Sequence, residues 1–254
     1  MLILRASLFG SLAMAFILAA CSDDDSGNFL AKDETPDLGE DSSKGTKYIP
    51  PCADECAYGV LEDKRDGRSY RTVSINGKTV MAENLNYSDE GSHSYLIGNN
   101  WCYNNDTTNC LKGGRYYTWT AAVDIDAKWQ GAALPAGTIK TPHQGICPDG
   151  WHIPTADEWS ALFKNVEYVA QQAMGNVGWK NATNASGYSA LPIGCSKESG
   201  AGKNACFWSV TMSSLNKDLP QYWIISAEEA HLHSSGEFKD QQFSVRCFKD
   251  DPAE

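Results

Sequence analysis

Nine cysteines are the residues with the plainest chemistry in this 254-residue chain. Cys21 stands alone at the end of an apolar run, whereas Cys52, Cys56, Cys102, Cys110, Cys147, Cys195, Cys206 and Cys247 are spread through the rest. An even set outside a reducing compartment forms disulfides, and eight thiols allow more than a hundred connectivities that spacing does not resolve. The expected pairing is Cys52–Cys56, Cys102–Cys110, Cys195–Cys206 and Cys147–Cys247, three short clasps and one long staple. Zinc would need deprotonated thiols in reducing surroundings and a more regular ligand spacing.

Other chemistry is sparser. His231 and His233 would share one face of a strand, and Asn104-Asn105-Asp106 offers oxygen atoms of the kind calcium takes. Two exposed histidines and a tight Asn-rich turn are the plainer readings, so no metal and no cofactor is expected. The acidic pairs Asp124 with Asp126 and Asp157 with Glu158 read as solvated or capping residues. No Gly-x-Ser-x-Gly, His-Glu-x-x-His or phosphate-loop motif occurs. Aromatic residues remain, eight Trp and eleven Tyr, more than catalysis or a modest core needs. Trp101, Tyr103, Trp129 and Trp179 lie in loop-like sequence and present flat faces on which sugar rings stack. Together with Asn104, Asn105 and Asp106 they form the candidate ligand-binding set, while Trp151, Trp159 and Trp208 read as core.

The chain start sets the compartment. Residues 1–20 carry one cation, Arg5, followed by an apolar stretch that reads as a signal peptide, too short to span a bilayer. Leu18-Ala19-Ala20-Cys21 resembles the bacterial lipobox, which implies acylation of Cys21 and attachment to a membrane through several acyl chains. Residues 22–47 hold eight acidic and three basic side chains and few large apolar ones, the composition of a disordered tether. Such a coil spans roughly 25–30 Å. Its Ser22-Asp23-Asp24-Asp25 start resembles the acidic export signal of surface lipoproteins, so the expected location is the outer membrane, facing outward, with a periplasm-facing protein as the alternative. Of the net charge of −11, residues 48–254 carry −7. An acidic domain repels phosphate backbones, so nucleic acid is excluded as a partner.

The elements that must position these residues are legible in part. Asn76-Gly77 between Ser69–Ile75 and Lys78–Ala82 is a hairpin signal, because both central residues of a type I′ turn need positive φ. Residues 115–123 begin like a strand and read onward as strand or helix. Thr155-Ala156-Asp157-Glu158 is a capping box, and Trp159, Leu162, Phe163 and Val166 continue it at helical spacing, which predicts a helix over about 156–166. Residues 205–210, 221–226 and 242–248 read as strands, and residues 124–146 as an irregular excursion. The whole is an α+β domain over residues 48–254.

Several segments resemble a known family. Val80-Met81-Ala82-Glu83-Asn84-Leu85-Asn86-Tyr87, Cys102-Tyr103-Asn104-Asn105-Asp106, Gly114-Arg115-Tyr116-Tyr117-Thr118-Trp119, Gly145–Thr155, Phe207-Trp208-Ser209 and Ser244-Val245-Arg246-Cys247 are similar to the Fibrobacter succinogenes major paralogous domain, in order, across most of residues 66–250. The resemblance implies a surface or secreted lipoprotein of a fibre-degrading bacterium. More distantly, Trp151–Trp159 resembles the Leu-Pro-Thr-x-x-Glu-Trp turn and helix of formylglycine-generating enzymes, which implies a C-type-lectin-like, loop-rich fold with small antiparallel sheets and one or two helices. Those enzymes use two copper-binding cysteines five positions apart, and Gln242 stands where the partner of Cys247 would be. The reading that follows is a non-enzymatic binding or adhesion module whose partner is polysaccharide or a surface protein. A structural envelope component or, less readily, an enzyme are the alternatives.

Overall fold

A computed structural model describes residues 57–164, 169–197, 200–229 and 231–251. The first strands are β1 (Gly59–Asp63), β2 (Arg68–Ile75) and β3 (Lys78–Met81), which form an antiparallel meander. Ile75 pairs with Lys78 across the turn, where Asn76 and Gly77 take φ values of 54° and 79°. The hairpin is therefore the one expected from Asn-Gly.

Next come the short strands β4 (Asn100–Trp101) and β5 (Tyr116–Tyr117), separated by helix α1 (Thr107–Gly113). The sequence over residues 102–110 is polar and Asn-rich and reads as a loop, yet its second half belongs to this helix. Asp106 is the reason: its carboxylate accepts from the Thr108 backbone N–H at 2.8 Å, an N-cap without an apolar stripe behind it to announce a helix. Residues 115–123 resolve into both alternatives. After β5, Thr118 caps a single turn α2 (Trp119–Ala122).

Strand β6 (Trp151–His152) leads into α3 (Ala156–Phe163), which starts in the expected capping box, with Thr155 and Glu158 bonding reciprocally. Val166 lies outside the described residues. At the far end of α3, the Asn76 side chain donates to the Leu162 carbonyl at 2.7 Å, so the hairpin turn satisfies a helix-end acceptor. A further turn, α4 (Ala170–Ala173), precedes the long strands β7 (Asn204–Met212) and β8 (Pro220–Ser226) and the edge strand β9 (His233–Gly236). The predicted strand at 242–248 divides into β10 (Phe243–Ser244) and β11 (Phe248–Lys249).

That division joins the two sheets, ordered β1-β2-β3-β11-β6 and β4-β5-β10-β7-β8-β9. The chain leaves the second sheet at Ser244 and enters the first at Phe248, and Val245 and Cys247 accept from the Leu85 and Met81 backbone N–H groups on the way. Residues 242–248 therefore alternate as a strand does, yet serve two ladders. β7 is buried on both faces over residues 205–210, which explains its run of consecutive apolar residues at 205–208. Cys206, Trp208 and Val210 face one core with Trp119, Phe243 and Val245, while Ala205 and Phe207 face a second with Val80, Trp159 and Trp223. The fold is α+β, as expected.

Three disulfides close the described residues, Cys102–Cys110, Cys147–Cys247 and Cys195–Cys206. These are the pairs expected from the sequence, and Cys52–Cys56 lies outside the described residues, as do Cys21 and the tether.

One ionic cluster pins β6 to α3. His152 is buried, and its Nδ1 and Nε2 lie 2.6 Å from Asp250 Oδ1 and 2.9 Å from Glu158 Oε1. Burial pushes the imidazole down, but the hydrogen bonds and charges of the two carboxylates outweigh it and leave its pKa above the ordinary 6.5. Burial raises Glu158, and His152 and Thr155 together override it, holding the carboxyl at about 2 against an ordinary 4.5. The histidine contribution is thus complete below pH 6.5 and disappears as pH rises through its elevated folded value. The glutamate contribution is complete above pH 4.5 and disappears as pH falls toward 2. Stability should peak between those limits. Thermal melts across pH 2–9 of the wild type and of His152→Gln are expected to differ by about 1–2 kcal/mol at that peak and to converge at alkaline pH. Parallel profiles would contradict the assignment.

Candidate functional site

A cleft of about 730 Å³ opens between the β1–β2 turn and the last turn of α1. Ala82, Glu83, Asn84 and Asn86 form its floor with Ser189, Leu191 and Arg246. The floor is built by hydrogen bonds that leave little freedom. Asn84 donates from Nδ2 to the Gly113 carbonyl at 2.8 Å and accepts at Oδ1 from Arg246 Nε at 2.7 Å. Gly114, at φ 74°, passes so close that an added Cβ would lie 2.5 Å from the Asn84 Cβ. Only glycine fits there without moving the floor.

Arg246 is fully buried, and its three hydrogen-bond acceptors are neutral. Besides Asn84, it donates to the Tyr188 carbonyl from Nη1 and to the Ser189 carbonyl at 3.1 Å from Nη2. Its guanidinium carbon lies 4.2 Å from the Tyr188 ring centroid and 5.2 Å from that of Phe207. Burial pushes its pKa down, although an arginine remains charged at neutral pH. Alongside it, Arg71 is clamped by Glu83, which accepts from its backbone N–H at 2.6 Å and from Nε at 3.2 Å. On the hairpin side, Arg65 grips buried Asp63 through bonds of 2.8 and 2.7 Å. Tyr70, raised above the ordinary phenol range by burial, receives the Asn86 backbone N–H at 3.1 Å.

The ligand-binding residues expected from sequence lie elsewhere. Trp101, Tyr103, Asn104, Asn105 and Asp106 are held together beside the Cys102–Cys110 clasp, with Lys197 Nζ 5.2 Å from the Trp101 ring and the Asn104 N–H on the Lys197 carbonyl. Asn104 and Asn105 take φ values of 52° and 55°, the tight-turn role. Asp106 is held below the usual carboxylate range by the Thr108 hydroxyl and N–H, as a cap. Trp129 is half-buried in separate surroundings, next to Lys128. Trp179 is a correction: it is buried, its Nε1 donates to the Ala190 carbonyl at 2.7 Å, and it belongs to the Trp159 core. A single-residue reading places a tryptophan flanked by Gly and Lys in a loop, but does not see the carbonyl that takes its indole N–H inside.

His231 and His233 are both exposed, on either side of buried Leu232. No group of three or more His, Cys, Asp or Glu among the described residues is placed to hold a metal ion. No described helix is long and apolar enough to cross a membrane.

The cleft itself escaped the sequence reading, although its floor comes from quoted motifs. Glu83, Asn84 and Asn86 interrupt an apolar run, and Arg246 stands between Val245 and Cys247. A charged residue inside a strand that is otherwise core was the signal available.

These elements define a disulfide-stapled α+β domain with two aromatic cores and a cleft of mixed polar and apolar lining. The chain belongs to the Fibrobacter succinogenes major domain family, whose model matches residues 73–249. Comparison with curated proteins and with solved structures finds no match.

Proposed function

We propose that the protein is a lipid-anchored, non-enzymatic binding or adhesion module of the outer membrane, held outward by the tether after Cys21, and that its ligand is polysaccharide. The observation that carries this reading is the cleft, a concavity of about 730 Å³ in which the amides of Asn84 and Asn86, the hydroxyls of Ser69, Tyr70 and Ser189, and several charged side chains stand among apolar residues such as Leu111 and Leu191. Such groups fix hydroxylated ligands by hydrogen bonding. The half-buried Trp101 and Tyr103 supply a second, aromatic surface beside it through α1. We read the two small sheets and long loops as a C-type-lectin-like arrangement.

An enzyme would need convergent reactive groups in the cleft. The lining is concave and carries ionisable side chains, but those of its inner wall are engaged with one another or with the fold: Glu83 with Arg71, Asp63 with Arg65, and Arg246 with the Asn84 amide and two backbone carbonyls. Its one cysteine, Cys110, is in a disulfide, and it contains no histidine. Cys247, the thiol a copper site of the formylglycine type would use, is bonded to Cys147.

The test is retention of the full-length protein on a glycan array and on insoluble cellulose, with loss of exposure after protease shaving of intact cells as the check on location. Retention by at least one glycan is expected. Absence of retention on every glycan defeats the polysaccharide reading, and resistance to shaving defeats the outward location.

A further inference from the structure

We infer that the cleft takes a carboxylate-bearing saccharide, an inference that rests on the binding reading and narrows it to one ligand class. The first observation is charge. Although the chain carries −11 overall, the cleft is lined by the cations Lys64, Arg68, Arg71, Lys112 and Arg246. Against them stand Glu62, Asp63 and Glu83. Asp63 is paired with Arg65, Glu83 with Arg71, and Arg68 with Asp66 just outside the lining, so the balance of the cleft is Lys64, Lys112 and Arg246 against Glu62. A cationic concavity in an acidic protein draws an anion there in preference to the surrounding surface.

The second observation is Arg246. A guanidinium buried on neutral acceptors alone keeps its charge without a carboxylate in hydrogen-bond contact, which costs free energy that an anion brought near would offset. The third is Asn86. Its side chain lines the cleft, is 5 % exposed, and its Oδ1 is buried without a hydrogen-bond donor. A buried acceptor left without a donor is costly, and a ligand hydroxyl is the natural donor. Hydroxyls to give and a carboxylate to receive describe a uronic-acid-type sugar. A neutral sugar would answer only Asn86, and a simple carboxylate only the cations.

Isothermal titration of the full-length protein with polygalacturonate, dextran and poly-glutamate distinguishes these cases. Lys64 and Lys112 are exposed, so Lys64→Glu/Lys112→Glu reverses charge at the rim without touching the packed floor. Polygalacturonate is expected to bind, to weaken about tenfold or more in the double variant, and to weaken with added salt. Dextran binding equal to polygalacturonate, or an unchanged variant, overturns the carboxylate while leaving polysaccharide binding standing. Poly-glutamate bound as tightly as polygalacturonate overturns the saccharide. No binding to these three polymers, together with retention on another glycan, defeats the inference alone, and silence on all glycans defeats both readings.

Discussion

Replacing Cys147 and Cys247 together by alanine is expected to lower unfolding stability by about 4–5 kcal/mol, the largest loss available from any single covalent change in the described domain. The bond closes a loop of sequence separation 100, against 8 and 11 for the two described clasps. In the chain-entropy account the short loops stabilise by only about 2.5–3 kcal/mol each, since the restriction of the unfolded chain grows with the logarithm of loop length. Position adds to length. Both sulfurs are fully buried in the first core, and Cys247 lies in the three-residue link between the sheets. Cutting the staple therefore frees the last strands, β10 and β11, from the segment that precedes α3. For a domain of this size the loss corresponds to roughly 10–18 °C in Tm, measurable by calorimetry without reductant. A smaller shift than that of Cys102→Ala/Cys110→Ala would show that loop length does not govern these bonds.

The elements that sequence makes legible share a physical property: their determinants are local. Asn76-Gly77 contains its own turn chemistry, and Thr155 with Glu158 satisfies helix-end donors within one turn. The Cys147–Cys247 bond was expected because the cysteines had to pair, although its geometry depends on the whole fold. What stayed hidden depends on remote partners. Arg246 finds its acceptors at Asn84, Tyr188 and Ser189, at sequence separations of 162, 58 and 57. No spacing rule connects such positions, so the cleft could not be assembled from the sequence even though its floor residues stood in plain view. Trp179 failed for the converse reason. Its flanking residues are those of a loop, and the backbone there is irregular, yet irregular backbone is buried in this fold wherever a side chain or carbonyl completes it. The strand at 242–248 shows an intermediate case, with its alternation correct and its partner sheet changing midway.

Trp159→Ala is expected to destabilise by about 3–5 kcal/mol, because the indole is fully buried and the void it leaves cannot collapse. Phe163, Tyr188, Phe207, Trp223 and Phe248 surround it, with ring centroids between 5.1 and 6.3 Å away. These rings come from α3, β7, β8, β11 and the loop before Cys195, so no single element can move inward to fill the space. Phe238→Ala, at a side chain 62 % exposed, should change stability by less than about 0.5 kcal/mol and serves as the control. The tryptophan also bears on the cleft. Tyr188 packs edge-on against Trp159 at 5.9 Å, while its own face carries the Arg246 guanidinium and its carbonyl accepts from it. Removing the indole releases the ring on which the buried cation rests. In a double-mutant cycle Trp159→Ala and Arg246→Gln should therefore be non-additive by about 0.5–3 kcal/mol in urea unfolding, as expected for residues that share a partner. Additivity would mean that core and cleft floor are independent, and that Arg246 is positioned by Asn84 and Ser189 without help from the aromatic cluster.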